Sequence, residues 1–64
     1  MLMQNLIRVI PNYVIMVITE KGLTSTKNLC TTSAEDVPLE YMDRHVYWIH
    51  ALGTGVIKVE LHDK

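Results

Sequence analysis

Residues 35 to 50, EDVPLEYMDRHVYWIH, hold the only tryptophan of the chain, two of its three tyrosines and two of its three histidines. Four apolar residues here recur at spacings of three and four: Leu39, Met42, Val46 and Ile49. At about 100° per residue, this spacing puts all of them on one side of an α-helix. Pro38 suits the first position of a helix, and Gly53 suits the position just past its end. The stretch therefore predicts one helix over residues 38 to 52.

The same helix would carry a second line of side chains beside the line that packs on a sheet. Its members also recur at spacings of three and four: Tyr41, His45, Trp48 and Leu52. One interpretation is that this line flanks the core and is covered by the apolar side chains of residues 1 to 11. The other is that it binds a partner, because tryptophan and tyrosine are enriched at interface hot spots. We take these four residues as the candidate partner-binding site.

Three other stretches have the composition of β-strands. Residues 12 to 19 form a nearly continuous apolar and β-branched run, which is typical of an inner strand. Residues 23 to 31 are rich in threonine, as in a polar edge strand of a hairpin. Residues 56 to 62 alternate between apolar and polar side chains after a turn at residues 53 to 55. The order strand, strand, helix, strand predicts an α+β fold, a three-stranded antiparallel sheet with one helix packed on one face.

The size of the chain limits what it can bury. Its 64 residues allow one domain, and a chain this short buries only about 60% of the surface that its unfolded form exposes. With 48% hydrophobic residues, the composition is that of a globular chain, somewhat overfilled for a monomer. We therefore predict a single domain over residues 1 to 64, with residues 1 to 11 as an N-terminal appendage and a homodimer as the expected state.

The charges favour a protein as the partner. Six lysines and arginines are scattered among seven acids, for a net charge of −1, so no basic stripe is available to neutralise phosphates. Nucleic acid is disfavoured, although a small module that stacks single-stranded bases on its aromatics stays open as an alternative. The apolar N-terminal stretch is interrupted by Arg8 and Asn12 and predicts no membrane span. The one cysteine, Cys30, indicates a reducing compartment, the cytoplasm.

No residue pattern indicates a chemical site. His45 and His50 are five positions apart, about 140° around a helix, which is too far for them to clamp a metal ion together. A Cys30 nucleophile with a histidine base is conceivable, but one cysteine and three histidines occur by chance in many chains. Residues 53 to 55 precede a strand and open no helix, which is the wrong context for a phosphate loop. We expect no catalytic residue, no cofactor and no metal, and hence not an enzyme.

Three stretches and the element order resemble small phage proteins that disable host enzymes. The stretches are YVIMVITEKG (13–22), SAEDVPLEY (33–41) and VIKVELHDK (56–64). In arrangement they are similar to the small phage inhibitors of bacterial uracil-DNA glycosylase and of bacterial RNA polymerase. The chain departs from these families in its extra N-terminal segment, and from the acidic glycosylase inhibitor also in its longer helix and nearly balanced charge. The resemblance implies a class, a non-enzymatic protein that works by occluding a surface.

These observations predict a small cytoplasmic protein-binding domain. It would occlude the surface of a host protein through Tyr41, His45, Trp48 and Leu52. The alternative is a homodimeric structural or regulatory protein without a separate partner, joined by the same line of residues or by the threonine-rich edge strand.

Overall fold

The computed structural model describes residues 1–62, and it has a strand where the sequence predicts a helix. The prediction of a helix over residues 38 to 52 is wrong, because Leu39–Tyr41 form a single 3-10 turn and Val46–Gly53 form strand β3. The β-branched and aromatic side chains at the start of β3 favour an extended backbone, and a neighbouring strand pairs with it. Asp63 and Lys64, the end of the predicted domain, lie outside the described residues.

Four strands form one mixed sheet. They are β1 (Ile15–Lys21), β2 (Thr26–Ser33), β3 (Val46–Gly53) and β4 (Val56–Leu61), in the order β2-β1-β4-β3. β1 pairs antiparallel with β2, and β4 pairs antiparallel with β3, but β1 and β4 run parallel to each other. The predicted three-stranded antiparallel sheet is therefore wrong in its number of strands and in the direction of its central pair.

Glycine residues allow both hairpin turns. The N–H of Gly22, after β1, donates to the carbonyl oxygen of Ser25 at 2.9 Å. A Cβ atom at Gly22 would lie 2.6 Å from that oxygen, so any larger residue would force the turn open. Gly55 lies in the short turn between β3 and β4 and has a φ of 74°, a region that favours glycine. The pattern at residues 53 to 55, predicted to lead from a helix into a strand, is thus a β-hairpin turn.

The hydrophobic core lies on one side of the sheet, which we call the covered face. Side chains alternate along a strand, and four of those that the two inner strands direct to this face are fully buried: Met16, Ile18, Val59 and Leu61. The layer packed on them comes from segments with little regular structure, and its buried residues are Met3, Leu6, Ala34 and Val37. The fold therefore has two layers, a mixed sheet and an irregular cover.

The N-terminal segment is part of this cover. Helix α1 (Met3–Leu6) places Met3 and Leu6 in the core. The N–H of Met3 donates to the carbonyl oxygen of Arg44 at 2.9 Å, and the N–H of Val46 donates to that of Met1 at 2.8 Å. The segment expected as an appendage, residues 1 to 11, is thus bound to the start of β3 and supplies core side chains.

One ion pair joins the cover to the sheet. Arg44 Nη2 lies 2.8 Å from Glu20 Oε2 of β1, and the same guanidinium donates to the backbone carbonyl of His62. The two charged side chains keep only 10% and 26% of their surface accessible, so solvent screens their attraction less than that of a fully exposed pair. Arg44 therefore holds the cover against the ends of β1 and β4.

Helices make a small contribution to the fold. α1 has four residues, and the other helical segments are two single 3-10 turns, Ala34–Asp36 and Leu39–Tyr41. No helix within residues 1–62 is both long enough and apolar enough to cross a bilayer.

Candidate functional site

The side of the sheet opposite the cover, which we call the open face, lies outside the core cluster. Strand alternation assigns it side chains from three neighbouring strands: Ile15, Val17, Thr19 and Lys21 of β1, Val56, Lys58 and Glu60 of β4, and Trp48, His50 and Leu52 of β3. Trp48 and Leu52 are its most exposed apolar side chains, with 54% and 53% of their surface accessible. A large aromatic and a large aliphatic side chain thus remain in water on one strand.

One end of the open face is apolar. Ile15 of β1 lies beside Val56 of β4, and the adjoining end of β3 carries Leu52. Ile15 and Leu52 are both exposed, and Val56 between them is half-buried. The next row towards the middle of the sheet holds Lys58 with His50 opposite it, so charge begins directly beside this apolar end.

The middle of the open face is filled by the sheet's own polar side chains. Glu60 lies opposite Trp48, and its Oε1 accepts a hydrogen bond of 3.5 Å from Thr26 Oγ1. Because Thr26 belongs to β2, the Glu60 side chain reaches across β1, where Thr19 is its neighbour. Thr19 is only 1% exposed, and its hydroxyl has no hydrogen-bond partner in the described part of the chain. The middle therefore offers little free surface to a ligand, and the exposed area lies towards β3.

Trp48 is held by a neighbour on its own strand. Its indole Nε1 donates to His50 Nδ1 at 3.0 Å, and the two ring centroids are 6.4 Å apart with an interplanar angle of 76°. An imidazole nitrogen accepts a hydrogen bond only in the neutral ring, so this contact requires unprotonated His50. A side chain that is already ordered loses less conformational entropy when a partner binds. Trp48 is therefore positioned for contact before any partner arrives.

Tyr47 lies at the other end of the sheet, in the bulge that precedes Trp48. Lys21 Nζ is 4.0 Å from the centroid of its ring, and the His62 ring meets it edge to face at a centroid distance of 4.8 Å. A pocket of about 260 Å³ adjoins this cluster and is lined by Lys21, Gly22, Leu23 and His62. Among residues 1–62, the lining contains no carboxylate, hydroxyl or thiol side chain that could act together with His62.

The structure separates the four predicted partner-binding residues. Trp48 and Leu52 share the open face on β3. Tyr41 lies in the cover, packed against the core, where burial and then the charge of Glu40 raise the pKa of its phenol. His45 forms an isolated bridge with the N-terminal segment, before β3 begins. The four residues were grouped on the assumption of a helix, so in the structure only Trp48 and Leu52 lie on the same face. Partner binding by the four residues stays a prediction.

The sequence reasoning missed His50 and Ile15 as members of this surface. A period of two over residues 48 to 52 would have placed Trp48, His50 and Leu52 on one face of a strand. Ile15 lies next to Val56, and so near Leu52, because β1 and β4 pair in parallel. No local sequence pattern indicates that pairing.

The remaining candidates for a chemical site are metal-binding side chains and the cysteine. Within residues 1–62, no three histidine, cysteine, aspartate or glutamate side chains lie close enough to hold a metal ion. The free Cys30 is half-buried and pairs with Ile18 on the covered side of the sheet. Burial raises the pKa of its thiol, and the negative charge of Glu40 raises it further. Because the thiolate is the reactive form, this environment makes Cys30 a poor nucleophile.

We expect the folded chain to alkylate slowly at Cys30. With iodoacetamide at about pH 8.5, close to the pKa of an ordinary thiol, the folded protein should react several-fold more slowly than the chain unfolded in urea. Glu40→Gln should speed the reaction of the folded protein, because it removes a charge that raises the thiol pKa. Glu35→Gln, an exposed change in the same segment, is the matched control. Equal alkylation rates for the wild type and Glu40→Gln would show that the charge of Glu40 does not raise the pKa of Cys30.

Comparison with known proteins finds no match to this chain, whether among protein families, curated proteins or solved structures. The resemblance to small phage inhibitors stays a prediction, and the strand-strand-helix-strand order that supported it is not the order of the structure. Function is therefore inferred from the open face and from β3.

Proposed function

We propose that this chain is a small non-enzymatic protein-binding domain that contacts its partner through the β3 side of the open face. The observation that carries the proposal is the exposure of Trp48 and Leu52, on a face of the sheet outside the core. Tryptophan is the residue type most typical of interface hot spots, and its contribution is largest when a partner removes it from water.

The composition of the open face supports a protein partner. The exposed side chains of Trp48, Leu52 and Ile15 together present apolar surface on the order of 300 Å², the lower end of what a functional patch offers. Lys58 and Glu60 add one charge of each sign beside them. Trp48 and Leu52 lie on either side of His50, so apolar and polar groups alternate along this edge, and they fit a folded protein surface that carries both kinds of side chain.

The proposed action is occlusion. The domain would cover a surface of its partner and would transform no substrate, and the half-buried, weakly nucleophilic Cys30 fits such a role. The single cysteine also fits a protein that works in the cytoplasm, where disulfides are rare. A surface of about this size gives a moderate affinity unless further contacts join it.

Exchange of Trp48 for alanine tests the proposal. A partner captured from a lysate by the immobilised wild-type chain would be purified and its affinity measured directly. Trp48→Ala should weaken that binding at least about tenfold, the loss expected when a hot-spot side chain is truncated. Tyr13→Ala, which removes an exposed aromatic ring from a loop outside the sheet, should leave the affinity unchanged within about twofold.

The proposal is wrong if the captured protein binds Trp48→Ala and Leu52→Ala as tightly as it binds the wild type. Circular dichroism checks that both variants are folded, and if Trp48→Ala is unfolded, the affinity of folded Leu52→Ala decides the test. Trp48 is exposed and outside the core, so we expect its truncation to preserve the fold.

A further inference from the structure

The two edges of the sheet differ in chemistry. β2 forms one edge and carries Lys27 among threonine and asparagine side chains. β3 forms the other edge and has the sequence VYWIHALG, without a single aspartate, glutamate, lysine or arginine. Every residue of β3 after Val46 is exposed. The two edges therefore differ in how they would meet another strand.

The composition of β3 does not match its position. A strand that is apolar on both faces is typical of the interior of a sheet, where neighbours cover it on all sides. Edge strands usually carry charged residues or proline, which discourage pairing with other chains. β3 exposes Trp48 on the open face and Ile49 on the covered face, and it carries no charged residue and no proline. Two bulges, at Tyr47 and at Leu52, interrupt its ladder but leave the stretch between them regular. This strand has the side chains of an inner strand at the edge of the sheet.

The outer edge of β3 also has free hydrogen-bonding capacity. Near the start of β3, the N–H of Val46 points outward and donates to the carbonyl oxygen of Met1. The carbonyl oxygen of His45 points inward, towards β4, and accepts a hydrogen bond from the N–H of His62. In an antiparallel pair, successive residues alternate between these two directions. The N–H of His62 points towards β3, so by alternation along β4 the backbone groups of Glu60 and Lys58 also point towards β3, and they bond to Trp48 and His50 opposite them. Ile49 and Ala51 therefore direct their N–H and C=O groups outward.

We propose that β3 pairs antiparallel with β3 of a second copy of this chain, about a two-fold axis that passes at His50. His50 lies midway between the two outward-facing residues, Ile49 and Ala51, and the two bulges of β3, at Tyr47 and at Leu52, bound this stretch on either side. Ile49 and the partner's Ala51 then exchange backbone hydrogen bonds, as do Ala51 and the partner's Ile49. The two four-stranded sheets join into one continuous sheet.

Side-chain complementarity selects a second copy over an unrelated strand. In this register Trp48 lies opposite the partner's Leu52 on the open face, and Ile49 lies opposite the partner's Ala51 on the covered face. A large residue thus meets a smaller apolar one on each face. The absence of charge on β3 removes the repulsion that identical charged strands would feel across a two-fold axis.

The inference concerns the edge of the sheet and stands whether or not the open face binds another protein. A two-fold axis perpendicular to the sheet leaves both open faces on the same side, so the dimer would present one surface of double width. An interface built on one short strand pair is small, and small interfaces are weak. We therefore expect a dissociation constant in the micromolar range.

Sedimentation equilibrium over a concentration series tests the pairing. The wild type should show a monomer–dimer equilibrium, and Ala51→Pro should weaken dimerisation at least about tenfold, because it removes an outward N–H without touching the β3–β4 ladder. The matched control is Thr31→Pro on the opposite edge. Thr31 lies opposite Val17, whose backbone groups alternate towards β4, so its own N–H points outward from β2. That variant should dimerise as the wild type does.

A second variant keeps the test decisive if proline impairs folding, which circular dichroism would show. His50→Glu places two like charges opposite each other at the axis and should also give monomers, whereas within its own chain the new carboxylate lies opposite Lys58, a favourable pair. A wild type that stays monomeric up to millimolar concentration overturns the proposal. So does a dimer that survives both Ala51→Pro and His50→Glu in folded form, or one that only Thr31→Pro dissociates. Loss of partner binding in Trp48→Ala with the dimer intact would concern the open face alone.

Discussion

Leu61→Ala should lower the free energy of unfolding by about 2–5 kcal/mol, the range for truncating a fully buried leucine. Leu61 is completely buried on the covered face, at the end of an inner strand, so its truncation leaves a cavity that a close-packed core fills only in part. A domain of 64 residues has a total stability of only about 3–10 kcal/mol, so this single change removes much of it. Urea unfolding followed by circular dichroism measures the loss.

Leu52→Ala is the matched control for that experiment. It removes the same atoms from the same residue type, but from a side chain that is more than half exposed on the open face. Its effect should stay within about 1 kcal/mol, as for most surface substitutions. If both variants lost equal stability, the assignment of the core to the covered face would be wrong.

Met3→Ala should also cost about 2–5 kcal/mol, although Met3 lies in a helix of only four residues near the start of the chain. Met3 is fully buried over the sheet, and its N–H is bound to the carbonyl of Arg44. The loss should appear as a lower midpoint of urea unfolding with an unchanged slope, because the surface exposed on unfolding hardly changes.

Met1→Ala provides the comparison, since Met1 is exposed and its backbone carbonyl, which binds Val46, is kept. That variant should unfold at the wild-type midpoint. If Met3→Ala did the same, residues 1 to 11 would be the N-terminal appendage that the sequence predicts, and the core would be closed by residues 34 to 44 alone.

The sequence located three strands approximately and misassigned the fourth. Alternation in residues 56 to 62 and the β-branched run in residues 12 to 19 are local signals, and strands lie at both places. The stretch from Leu39 to Leu52 satisfies the spacing of a helix and, over its second half, the composition of a strand. What decides between them is pairing with β4, a contact across the turn at residues 53 to 55 that the spacing of one segment does not contain.

The wrongly predicted helix also explains why the candidate site was only partly correct in its grouping of residues. Helical spacing brought Tyr41 and His45 to the side of Trp48, whereas in the structure Tyr41 belongs to the cover and His45 to the bridge with residue 2. Trp48 and Leu52 were predicted to share a face because they are four residues apart on a helix, and a spacing of four also places two side chains on the same side of a strand. Exposure of these two side chains could not be derived from the sequence, because it follows from which face of the sheet the cover occupies.

The parallel pairing of β1 and β4 has a consequence for how the chain folds. Each hairpin, β1–β2 and β3–β4, can form from residues that are close in sequence, but the seam between them joins positions about forty residues apart, such as Ile15 and Val56. Contacts of this range are slow to form, because the loop entropy is lost before the contact stabilises anything. The two hairpins should therefore appear first, and docking along the central seam should limit the folding rate. Until it does, the apolar margins of β1 and β4 stay available to other chains.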